Sequence, residues 1–88
     1  MRYHPVLSSR EKLVQRLLAR PTDMRFDELD RILRSFGYEL KGGKGSHRRF
    51  ECPGRPRIVV PESSGKVKRV YLSWVIKLLG LENENGRC

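Results

Sequence analysis

Eight of the thirteen glycines and prolines in this chain fall between residues 37 and 61. They are Gly37, Gly42, Gly43, Gly45, Pro53, Gly54, Pro56 and Pro61, and a helix cannot run through such punctuation. What they leave uninterrupted is three short runs, "YELK" at 38–41, "SHRRFE" at 46–51 and "RIVV" at 57–60. Each has the length and residue types of a strand. The glycine-rich turn 42–45 joins the first two, and "CPGRP" joins the second to the third. Connections this short favour antiparallel pairing, so the segment predicts a three-stranded meander.

Amphipathic helices flank it. Ser8 with Glu11 fits a capping box, and Leu13, Val14, Leu17 and Leu18 recur at helical spacing before Pro21, which predicts a helix over 9–19. Phe26, Leu29, Ile32, Leu33 and Phe36 form a second stripe. Asp27, Glu28 and Asp30 sit near its positive end and Gly37 supplies its stop. After the loop "PESSGK", Val67, Val70, Tyr71, Trp74, Val75, Leu78 and Leu79 predict a last helix closed by Gly80. "LENENGRC" reads as a mobile polar tail. The order helix, helix, meander, helix gives an α+β domain with helices on one sheet face. Tyr38, Phe26, Phe36, Tyr71 and Trp74 are expected to pack in its core.

Eighty-eight residues make one small domain. No apolar run approaches the roughly 18 residues a membrane span requires. The opening "MRYHPVLSSREK" lacks the core of a signal peptide, so a cytoplasmic location is expected. Cys52 and Cys88 make neither a disulfide framework nor, with two histidines, a metal pattern. No metal and no cofactor are expected.

Charge points to a partner. The chain carries a net +9. Residues 21–40 hold three basic and five acidic side chains, whereas 41–77 hold ten basic and two acidic. A basic face of this kind displaces counterions from a polyanion, which points to nucleic acid. The basic residues are not laid along one amphipathic helix, which weighs against a membrane surface.

The densest basic stretch is "KGGKGSHRRFECPGRPR", with His47 at its centre. Side chains alternate along a strand. Phe50 should therefore turn inward together with Arg48 and Ser46, leaving His47 and Arg49 on the open face. Adjacent Ser46 and His47 cannot readily act as nucleophile and base, and no third orienting residue is visible. The glycines let the backbone approach a phosphate, but the spacing is not a nucleotide fingerprint, and an ordinary hairpin turn explains it equally well. A histidine can also take the proton of a ribose 2′-OH, which then attacks its own 3′-phosphate while nearby cations stabilise the charge. A non-catalytic double-stranded-RNA-binding module is the alternative. A helix-turn-helix fits poorly, because the first two helices are about six residues apart and the second is acidic.

The stretch "FDELDRILRSFGYELKGGKGSHRRFECPGRPRIVVP" resembles the HicA family of toxin ribonucleases. The likeness runs from about Phe26 to Leu79. It includes the helix ending in "FGYEL", the basic glycine loop with Gly45-Ser46-His47, an aromatic three residues after the histidine, a strand ending in proline and a closing helix. It implies a double-stranded-RNA-binding-domain-like fold over 23–80, with 1–22 an N-terminal helical extension and 81–88 the tail. It also implies metal-independent cleavage of mRNA by His47 and a HicB-type antitoxin partner. Lys41, Lys44, Gly45, Ser46, Arg48 and Arg49 would hold RNA around the histidine, and Arg55 and Arg57 would extend the basic surface.

Overall fold

Three antiparallel strands, β2 (Glu39–Gly42), β3 (His47–Glu51) and β4 (Ile58–Pro61), form the sheet that the turn residues require, in the order β2-β3-β4. The computed structural model describes residues 9–81. Ser8, the expected cap, and Cys88 lie outside the described residues. Around the sheet are α1 (Ser9–Leu18), β1 (Asp23–Arg25), α2 (Phe26–Ser35), β5 (Lys66–Lys68) and α3 (Arg69–Leu78). The chain is thus an α+β domain with three helices and a three-stranded antiparallel sheet.

The register decides which face is which. Phe50 pairs with Ile58 and with Leu40, and Arg48 pairs with Val60. Phe50, Ile58 and Val60 therefore share one face, and all three are fully buried. Burying each such side chain stabilises the fold by about 1.5–3 kcal/mol. They share one buried core with Leu17 of α1 and with Leu29, Ile32 and Leu33 of α2. Phe26 and Phe36 at the ends of the α2 stripe are only partly buried. Gly37 ends α2 at a φ of 95° while its N–H bonds the Arg34 carbonyl at 3.0 Å. That reversal drops Tyr38 into the core, where its hydroxyl donates to the Pro56 carbonyl at 2.9 Å.

Three features depart from expectation. The first is a second, two-stranded sheet made by β1 and β5, pairing Asp23 with Lys68, Met24 with Val67 and Arg25 with Lys66. Met24 and Val67 bury inward between exposed neighbours. Each of these strands runs directly into a helix that lacks a side-chain cap. The opposite segment supplies the cap instead: Phe26 N–H donates to the Gly65 carbonyl at 2.7 Å, and Arg69 N–H donates to the Thr22 carbonyl at 2.9 Å. Two of the orphan donors at helix starts are satisfied in this way.

The second concerns α3. Val67 belongs to β5, so the helix begins two residues later and its phase is set by the strand that delivers it. Leu72, Val75, Ile76 and Leu79 face inward, whereas Val70 is 66% exposed and Trp74 is 38% exposed. Trp74 is therefore not a core residue, and Tyr71 is only partly buried. Third, Leu81, read as the start of the tail, packs into the core.

Candidate functional site

The glycine loop between β2 and β3 is built around one close approach. Leu40 pairs with Phe50 but Gly42 pairs with Arg49, so a bulge at Lys41 skews the end of β2. Gly43 then passes against the His47 peptide. A Cβ at Gly43 would fall on the His47 carbonyl oxygen and lie 2.8 Å from its carbon. Only glycine allows the chain to pass here. The turn closes with the His47 N–H donating to the Lys44 carbonyl at 3.0 Å. Gly45 has a φ of 62° while Ser46 is not left-handed, the pattern of a type II′ hairpin turn.

His47 is the first residue of β3 and lies opposite Pro61. Its side chain is exposed, on the face away from Phe50. Ser46 is also exposed, and among the described residues no hydrogen bond joins its hydroxyl to His47. The main chain of Ser46 is tied down, its carbonyl accepting the Glu62 N–H at 2.7 Å.

The cations expected around His47 fall into three groups. Lys44 is exposed and has no ion pair among the described residues. Lys41 pairs with Glu39 at 3.0 Å and Arg49 with Glu51 at 2.9 Å, both through exposed or half-exposed side chains on the open side of the sheet. Pairs of this kind contribute about 0–1 kcal/mol, so a polyanion can displace the carboxylates. Arg48 is different. Its Nε donates to Glu62 Oε1 at 2.9 Å and its Nη1 to the Gly45 carbonyl at 2.8 Å.

Arg55 and Arg57 are exposed at the opposite end of the β3–β4 hairpin, beside a concavity with Glu51 and Cys52. Roughly 13 Å of strand separates that end from His47, at about 3.3 Å per residue. The fold thus gathers Lys41, Lys44, Gly45, Ser46, Arg48 and Arg49 about the histidine and leaves the two later arginines apart.

Two contributions were not visible in the sequence. Glu62, inside what reads as a loop, anchors the glycine turn by side chain and backbone. A concavity lined by Pro61, Ser63, Lys66, Lys68 and Tyr71 opens beside the register partner of His47, adding two lysines and an aromatic edge. The forward signal for both is the same: once β4 is paired with β3, the residues after Pro61 must lie next to the turn. Among the described residues no cluster of three or more His, Cys, Asp or Glu side chains could hold a metal, and no helix is long and apolar enough to cross a membrane.

Compared with families of known proteins, residues 26–81 match the family model described as the HicA toxin of bacterial toxin–antitoxin systems. No curated protein and no solved structure matches the chain.

Proposed function

Because the chain belongs to the HicA toxin family of bacterial toxin–antitoxin systems, we propose that it is an endoribonuclease that cleaves mRNA with His47 as its general base. The observation that carries this reading is the placement of His47. It stands exposed at the rim of a glycine turn, in the most basic part of the chain, with Lys44, Lys41 and Arg49 about it. The imidazole takes the proton of a ribose 2′-OH, and that oxygen bonds to the adjacent phosphorus. The bond from phosphorus to the 5′-oxygen of the next nucleotide breaks, and the imidazolium returns its proton to that oxygen. The products are a 2′,3′-cyclic phosphate and a 5′-hydroxyl end. Transfer within the RNA itself requires neither an enzyme nucleophile nor a metal. The cations stabilise the charge that builds on the phosphoryl oxygens.

RNA lying over the open face of β3 meets His47 first, and the concavity at Lys66, Lys68 and Tyr71 offers room for a neighbouring nucleotide. Contacts of this kind are to phosphate and sugar, so sequence preference is weak. The reading places the protein in the cytoplasm, with a HicB-type antitoxin covering the histidine. The test is a transcript incubated with protein in EDTA. Fragments ending in cyclic phosphate, absent with His47→Ala although that variant still retards RNA, support the enzyme. A retarded but intact transcript with the parent protein would make it a non-catalytic RNA-binding module instead.

A further inference from the structure

Arg48 follows His47 in β3, and neighbouring residues of a strand point to opposite faces. It shares the side of Phe50, which faces the helices, and its side chain is only 35% exposed. Its guanidinium fork is already engaged. Nε bonds Glu62 Oε1 at 2.9 Å, and Nη1 bonds the Gly45 carbonyl at 2.8 Å and reaches the His47 carbonyl at 3.4 Å. The Glu62 N–H meanwhile holds the Ser46 carbonyl at 2.7 Å. Three consecutive carbonyls, those of Gly45, Ser46 and His47, are thus held by two residues that also hold each other.

We propose that Arg48 and Glu62 are positioning residues, a clamp that sets the turn carrying His47, and that Arg48 is not a phosphate ligand. The proposal rests on the reading of His47 as the base. A general base must be held within a fraction of an ångström of its target, and glycines at 42, 43 and 45 would otherwise leave this turn loose. Arginine suits the task because its planar fork can bridge a carboxylate and a carbonyl at fixed angles. Lysine, a single rotating point charge, cannot.

The two roles predict different effects at Glu62. If Arg48 bound phosphate, Glu62 would compete with RNA for it, and Glu62→Gln would tighten binding. For a clamp, Glu62→Gln and Arg48→Gln each lower kcat by about tenfold or more, as a base moved by a fraction of an ångström would. Both leave KM nearly unchanged, and the double variant is little worse than either single one, because both break one unit. Arg48→Lys does not rescue kcat. RNA affinity of Arg48→Gln, measured in a His47→Ala background to prevent cleavage, stays within about twofold of that background, since phosphate contacts alone set it.

A further readout needs no cleavage. Hydrogen exchange at the His47 and Glu62 amides, both bonded within the turn, speeds up in Arg48→Gln and Glu62→Gln while amides in α2 keep their protection. Tighter RNA binding by Glu62→Gln, rescue of activity by Arg48→Lys, or unchanged exchange at both amides would overturn the clamp. Failure of the parent protein to cleave RNA would instead remove the ribonuclease reading and leave the exchange result to decide the clamp.

Discussion

Replacing Gly43 with alanine adds one methyl group and should disable the site without unfolding the domain. The new Cβ would strike the His47 carbonyl oxygen, lie 2.8 Å from the carbonyl carbon and 3.0 Å from Arg48 Cα, all backbone atoms that cannot swing away as a flexible side chain would. Relief requires the two arms of the turn to part by on the order of 1 Å, and a displacement of that size at a catalytic group costs about 10²-fold in rate. The overpacking itself destabilises by about 1–3 kcal/mol. At about 4–8 °C per kcal/mol for a domain of this size, the melting temperature falls measurably, but the core of Phe50, Ile58 and Val60 is untouched.

The assay pairs single-turnover cleavage of a short RNA with a thermal melt. Alanine at Gly45 is the control, because nothing lies within 4 Å of a Cβ there and only the φ of 62° is strained. That strain costs about 1–2 kcal/mol, and Gly45→Asn should recover most of it. Gly43→Ala is expected to lose about 100-fold in kcat and Gly45→Asn much less. Parent-like kcat in Gly43→Ala would refute the claim that the close passage of the two backbones sets the position of His47.

Three other outcomes can be checked. Tyr38→Phe removes the bond to the Pro56 carbonyl and should cost about 1 kcal/mol in a denaturant titration. Burial pushes the Tyr38 phenol above its ordinary 10.0, with Arg55 drawing it part of the way back and Cys52 adding to the rise. Its contribution to stability is therefore complete below pH 10 and lost as pH climbs through the raised value, so the alkaline fall in melting temperature should be shallower in Tyr38→Phe. Leu72→Ala should destabilise by about 2–5 kcal/mol and Val70→Lys by no more than about 0.5. Comparable losses from both would mean that α3 is rotated from the orientation described. Finally, RNA affinity should fall steeply with salt, and Lys44→Ala should flatten the log–log slope by about one unit. An unchanged slope would remove Lys44 from the RNA surface.

The meander and the helices around it were legible because glycines and prolines cut the chain into pieces too short for anything but strands. The two-residue alternation through Phe50 then placed His47 outside. The orientation of α3 was not legible. Val70, Tyr71, Leu72, Trp74, Val75, Ile76, Leu78 and Leu79 make the helix apolar almost all round, so two stripes compete. Counting Val67 as helical selects the wrong one. Strands β1 and β5, three residues each, show too little alternation to register, and their pairing joins segments more than forty residues apart. Glu62 stayed hidden for a related reason: its role depends on the register of β4 against β3, which no local pattern states. Arg48 and Arg49 look alike in sequence, and only the strand's alternation and the partner at Glu62 separate them.

The reciprocal caps between β1–α2 and β5–α3 have a consequence for where this protein can be cut. The segment shared with relatives starts at Phe26, yet a fragment beginning there would lose Met24, strand β1 and the Thr22 carbonyl on which the first turn of α3 closes. It would also strip Val67 of its neighbour across the ladder. The portion that inheritance marks out and the portion able to stand alone therefore have different edges, and the short ribbon before Phe26 belongs to the second.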